Sequence, residues 1–229
     1  MTPAVHIRFA FALLACVLVL ASCGEPYRKP PPPTYTVKAG DTVYSIAWRH
    51  HLDYRVLARW NNLPADYRIE IGQVLRLRAP TGKAVRTAST PPPPVARTPS
   101  RPPIDPSIAA WMWPADGSSN IVRHAPTSSQ GLLISGTEGA PVRAAAAGRV
   151  VYTGSGLRGF GNLLIIKHSN LFLSAYGHNQ SLSVKEGDQV ALGQTVASMG
   201  LGPGQKPALY FEIRYNGQPV DPLAYLPQR

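Results

Sequence analysis

The sequence predicts a multidomain chain of α+β and β class, with a small βααβ module followed by a mainly antiparallel β domain. Three observations carry this. Proline-rich stretches at residues 30–33 and 79–106 divide the chain into blocks. The block between them, residues 35–78, reads as strand, helix, helix, strand. From Trp111 onward, short segments of alternating polarity recur between glycine turns, the pattern of antiparallel sheet.

At the start, Arg8 precedes an apolar run over residues 9–20, long enough for a secretory segment and short for a bilayer span. Residues 1–22 are therefore excluded from the fold. Leu20-Ala21-Ser22-Cys23-Gly24 follows at once and resembles the lipobox of bacterial lipoproteins. The resemblance implies acylation of Cys23 as the first mature residue, and so attachment to a membrane through that lipid. With Gly24 next rather than aspartate, it also implies an outer-membrane lipoprotein facing the periplasm. Cys16 leaves with the targeting segment, so the mature chain has no cysteine pair for an internal disulfide and depends on packed cores.

The formal net charge is +11, and it is uneven. Residues 23–108 carry 13 Lys/Arg against 6 Asp/Glu, whereas residues 109–229 carry 9 against 6. The excess in the first half suits an anionic wall, lipid or protein partner. Nucleic acid is set aside, because a secreted chain rarely meets it and no basic helix interleaved with aromatics is present.

Residues 23–34 read as a tether and residues 80–108 as a linker, since such compositions cannot bury enough apolar surface to fold and extend as polyproline spacers. Between them lies the module, residues 35–79. Residues 34–38 are β-prone, and Asp41 is placed to cap a helix with Val43, Ile46 and Ala47 on one face. Asp53 is placed to cap a second with Val56, Leu57 and Trp60, and residues 73–77 alternate like a strand. The run Tyr35-Thr36-Val37-Lys38-Ala39-Gly40-Asp41-Thr42, then Ile46-Ala47, Trp60-Asn61-Asn62-Leu63 and Ile71-Gly72-Gln73-Val74-Leu75, resembles the LysM module. That implies binding of peptidoglycan through its N-acetylglucosamine. The contacts carried over are Gly40, Asp41, Thr42 and Val43 on one side, with Leu63, Pro64, Ala65 and Ile71 on the other.

In the last block, residues 109–229, strands are expected at 141–144, 148–153, 162–168, 171–178, 195–199 and 208–215. Gly139-Ala140-Pro141-Val142, Gly148-Arg149-Val150-Val151, Ser174-Ala175-Tyr176-Gly177-His178, Val184-Lys185-Glu186-Gly187-Asp188-Gln189-Val190 and Phe211-Glu212-Ile213-Arg214 resemble the LytM, or lysostaphin-type, zinc endopeptidases, with their duplicated hybrid motif. Active members hold zinc through H-x-G-x-D and H-x-H segments. Anchored on Gly131 and on Phe211-Glu212, those positions are here Ser129, Leu133, Ala208 and Tyr210, and only His178 matches a catalytic position. Serine is a poor ligand and leucine has no lone pair, so no metal and no cofactor is expected. A different site built from His124, His168 and His178 is the weaker reading, with His168 a structural side chain.

Period-two alternation puts Leu209, Phe211 and Ile213 on the core side of the last long strand and Ala208, Tyr210, Glu212 and Arg214 on the former catalytic side. By the same rule Tyr176 and His178 share a face. Aromatic and cationic side chains in a cleft freed of metal make a protein-docking surface, for which Gln130, Leu133, Phe160, Tyr176, His178, Tyr210 and Arg214 are candidates. The whole arrangement resembles the NlpD/EnvC-type murein hydrolase activators, in particular through Leu157-Arg158-Gly159-Phe160-Gly161-Asn162. This implies a chain that is not an enzyme and activates a periplasmic zinc amidase cleaving N-acetylmuramoyl-L-alanine bonds during cell separation. The zinc then belongs to that partner. A residual metallopeptidase and a purely structural wall tether are the rival readings.

Overall fold

The computed structural model describes residues 33–80, 105–116, 121–123 and 131–228. Cys23, His124, Ser129 and Gln130 lie outside the described residues, as do the targeting segment and most of the two spacers.

The module begins with β1 (Thr34–Thr36), paired antiparallel with β2 (Val74–Arg76) so that Tyr35 faces Leu75. Between them run α1 (Val43–Arg49) and α2 (Tyr54–Trp60). Each helix has only seven residues, so each depends on its caps and its packing. Asp53 caps α2 as expected, accepting from the backbone N–H groups of Arg55 and Val56. The cap of α1 differs from expectation. It is Thr42, whose hydroxyl accepts from Ser45 N at 3.1 Å while Ser45 Oγ accepts from Thr42 N at 3.0 Å, a reciprocal capping box. Asp41 turns away and accepts from Lys38 N and Tyr35 Oη.

The buried face of α2 is also shifted, to Tyr54, Leu57 and Ala58, leaving Val56 and Trp60 partly exposed. Seven residues span two turns, and the packing partner decides which stripe is covered. Asn61 fastens the end of α2 to β2, donating to Leu57 O and Arg76 O and accepting from Arg76 N.

The second block is one mixed-length antiparallel sheet. Its strands are β3 (Ile121–Arg123), β4 (Leu132–Ser135), β5 (Pro141–Arg143), β6 (Gly148–Gly154), β7 (Asn162–Lys167), β8 (Phe172–Leu182), β9 (Gln189–Val190), β10 (Thr195–Met199), β11 (Ala208–Tyr215) and β12 (Gln218–Val220). The order among the described residues is β3-β4-β11-β8-β7-β6-β9, with β10 bridging β5 and β8, and β12 on β11. Asn216 and Gly217, with φ of 49° and 74°, make the two-residue turn between β11 and β12.

The sheet has apolar side chains on both faces. Leu164, Ile166, Tyr176, Leu209, Phe211 and Ile213 point into one core, closed by β5, β10 and the segment around Trp111. Leu163, Ile165, Leu173, Ala175 and Tyr210 point the other way, into a second core that they share with Trp48, Tyr54 and Leu57 of the module. Burying apolar area is what favours both arrangements, so the module is seated on the sheet as a second layer.

Candidate functional site

The face that the peptidase resemblance marks as the former catalytic one is built by β4, β11 and β8. Leu133 lies opposite Tyr210, and Tyr210 is in turn opposite Gly177, so adjacent strands bring together two of the positions that the resemblance gives to metal ligands. Tyr210 is 1% exposed, and its ring lies so close to Gly131 that an added Cβ there would be 2.7 Å from Tyr210 Cε2. Beside it sits a buried ion pair. Arg214 Nε donates to Glu212 Oε1 at 2.6 Å, and Tyr210 Oη donates to Glu212 Oε2 in a short hydrogen bond.

These side chains do not fit a zinc ion. Leu133 offers no donor, and a tyrosine would have to bind as phenolate. Burial, reinforced by the Glu212 charge and hydrogen bond and opposed by Arg214, pushes the Tyr210 phenol far above its ordinary range. Both oxygens of Glu212 are already engaged. Among the described residues no group of three or more His, Cys, Asp and Glu side chains is arranged to hold a metal.

His178 reaches this face by a backbone exception. Its φ is +60°, which breaks the alternation of β8, and its ring lies 6.3 Å from that of Tyr210. Tyr176 consequently does not share its face. It points into the opposite core, 0% exposed, with its ring 5.3 Å from Phe211 and its oxygen bonded to Ala145 N and Ser174 Oγ. Tyr176 is therefore removed from the docking candidates. His168 also lies on that core side, its ring nitrogens bonded to Ala147 O and Ser174 Oγ, and burial lowers its pKa to about 4. It is not brought together with His178.

Of the remaining groove candidates, Phe160, Tyr210 and Arg214 are covered by the module. Trp48, at the end of α1, lies over Arg214 with its ring centroid 3.5 Å from the guanidinium carbon, and Arg214 Nη1 donates to Trp48 O at 3.3 Å. Phe160 and Arg214 are 4% and 2% exposed, whereas Leu133 and His178 keep partial exposure. Around this seat Arg55 Nη2 donates to Asn216 Oδ1 at 2.6 Å and Tyr54 Oη to Asn170 O at 3.2 Å. Gly217 lies so close to the module that a Cβ there would be 2.6 Å from Asp53 Cα.

Among the glycan candidates Val43 is 1% exposed and packed in the core, so it cannot line a sugar groove. Its position follows from being the first residue of α1 on the apolar stripe. Gly40 is exposed, and Asp41 and Thr42 are half-buried. Leu63, Pro64 and Ala65 line a shallow depression with Arg59 and Tyr67, and Ile71 is 75% exposed. Trp48, which covers Arg214, was not singled out from sequence. Its signal was an apolar stripe on α1 that continues past Ala47 with the bulkiest side chain in the helix.

Residues 35–78 match the LysM domain family, and residues 127–222 match peptidase family M23. A Pseudomonas aeruginosa protein named lipoprotein NlpD/LppB homolog is 42% identical, over 85% of this chain and 77% of its own. The chain belongs to the NlpD family. Escherichia coli K12 contributes two further relatives: an uncharacterized lipoprotein, YgeR, 40% identical over 84% of this chain and 80% of its own, and murein hydrolase activator NlpD, 34% identical over 86% and 68%. A solved structure described as a putative M23 peptidase from Pseudomonas aeruginosa is 29% identical over 54% of this chain and 52% of its own, with a TM-score of 0.46.

Proposed function

We propose that this NlpD-family chain is a non-catalytic activator of a periplasmic N-acetylmuramoyl-L-alanine amidase, acting in septal peptidoglycan splitting. It is anchored to the outer membrane by lipid on Cys23 and held to the wall by LysM. The observation that carries the reading is that Leu133 and Tyr210, at positions the peptidase resemblance gives to metal ligands, lie opposite each other, with Tyr210 tied into a buried Glu212–Arg214 pair. Without a metal nothing lowers the pKa of an attacking water toward neutrality. The relatives named murein hydrolase activator support the same conclusion.

The docking face is the former catalytic groove, centred on Phe160, Tyr210 and Arg214 with Leu133 and His178 at its margin; Gln130, also a candidate, lies outside the described residues. Because LysM is seated there, an amidase reaches it only when the module lifts away. The module binds wall and the β domain activates. Residues 109–229 alone therefore stimulate the amidase more strongly than the full chain does.

The test mixes purified protein with candidate amidases and dye-labelled sacculi. Within residues 109–229, Tyr210→Ala or Arg214→Glu lowers amidase affinity by about 2 kcal/mol, roughly thirtyfold, while Lys185→Ala has little effect. Folding is checked by circular dichroism. Stoichiometric zinc with chelator-sensitive cleavage by the chain alone would instead establish a metallopeptidase. Wall binding with every amidase unaffected would establish a tether.

A further inference from the structure

At the seam between LysM and the sheet lies a cleft of about 430 Å³, large enough for a small ligand. One wall is the loop between β1 and α1, with Lys38 and Asp41; the other is the loop between β6 and β7, with Gly156, Leu157 and Arg158. We infer that this cleft binds a carboxylate-bearing wall peptide, of the kind that branches from peptidoglycan glycan strands. The inference rests on the wall-binding half of the proposed function.

The charge balance selects the ligand class. Asp41 is already satisfied, accepting from Tyr35 Oη at 2.7 Å, Lys38 N at 2.9 Å and Arg49 Nη2 at 3.2 Å. Arg214 is held by Glu212. Lys38 and Arg158, from opposite walls, are exposed and form no ion pair among the described residues. Between them the cleft has an apolar and aromatic surface, to which Trp48 and Phe160 contribute beside Leu157 of the second wall. Two uncompensated cations beside such a surface suit an anion with an apolar body. An uncharged N-acetylglucosamine oligomer leaves both cations unused. Inorganic phosphate leaves the apolar surface unused.

Position agrees with charge. Asp41, from the loop at residues 40–42 proposed to contact glycan, lines one wall, so a peptide branching from a bound strand starts at the mouth of the cleft. Because the walls come from both layers, the peptide binds only while LysM is seated, and by mass action it favours the seated state.

The experiment titrates the full chain, in detergent, by calorimetry at low salt. The probes are a disaccharide tetrapeptide, the same compound with its carboxylates amidated, chitotetraose and inorganic phosphate. The acidic muropeptide is expected to bind about tenfold tighter than its amidated form, the sum of two partly screened ion pairs. The advantage disappears in Lys38→Glu/Arg158→Glu, whose exposed changes leave the circular dichroism spectrum unaltered. Equal affinity for the acidic and amidated forms, phosphate binding as tight as muropeptide binding, or full selectivity in the double variant overturns the inference. Amidase stimulation, measured in parallel, separates the two readings. Charge selectivity without stimulation sinks the activator function and leaves the cleft; stimulation without selectivity does the reverse.

Discussion

Replacing Gly217 by alanine drives a methyl group into the backbone of LysM. The new Cβ would lie 2.6 Å from Asp53 Cα and 2.8 Å from Asp53 N, closer than real Cβ contacts come, and no rotation of a side chain relieves it. The residue also has φ of +74°, which costs an alanine roughly 1 kcal/mol. Gly187→Ala is the control, with φ of +94° and open space around the added methyl, so it has the strain without the collision. Overpacking of this kind costs about 1–3 kcal/mol, and lifting LysM relieves it. The ratio of unseated to seated protein should rise about 5- to 150-fold. Gly217 touches neither Tyr210 nor Arg214, so the groove itself is unchanged. Amidase stimulation by dye release should increase for Gly217→Ala over both wild type and Gly187→Ala, with a larger radius of gyration in X-ray scattering. Identical behaviour of the two alanine variants in both assays would refute the argument that seating of the module gates the groove.

Arg214→Ala strands the buried Glu212 carboxylate and should destabilise the chain by about 3–5 kcal/mol in urea unfolding, while Arg214→Met with Glu212→Gln recovers most of the loss. Thr42→Ala, which removes the capping box of α1, should cost about 1 kcal/mol; Asp41→Ala leaves that cap intact, so the helical signal of LysM distinguishes the two. His168 is neutral in the fold, with a pKa lowered by burial to about 4 from 6.5. The unfolded chain therefore binds the extra proton, and stability present above pH 6.5 is lost as pH falls toward 4, by up to about 3 kcal/mol. His168→Gln should flatten that slope in thermal melts taken from pH 7 to pH 4.

The element types were legible because they rest on local pattern. The alternation of Leu209, Phe211 and Ile213 with Ala208, Tyr210, Glu212 and Arg214 became β11, and its two faces were assigned correctly, since an uninterrupted strand keeps period two. The same rule failed one strand away, because His178 adopts a left-handed conformation that composition does not announce, and Tyr176 consequently fell into the opposite core. Asp41 and Thr42 are both good helix caps, and their order in sequence does not say which will accept from Ser45. The geometry of the turn chose Thr42 and gave Asp41 to Tyr35 and Arg49.

At the position that the peptidase resemblance gives to a metal ligand, sequence alone decided what the side chain can do, because one without a lone pair cannot become a ligand in any fold. Leu133 settles that at its position before any coordinate is known. What only the tertiary structure decided is where that face ends up. Trp48 and Arg214 are 166 residues apart in sequence, with a proline-rich spacer between them, and no local pattern records their contact. Their pairing depends on two apolar surfaces, each readable as a helix stripe or a strand face, whose mutual burial is a property of shape. That burial turned an expected open groove into a covered one and placed Lys38 and Arg158 on opposite walls of a shared cleft.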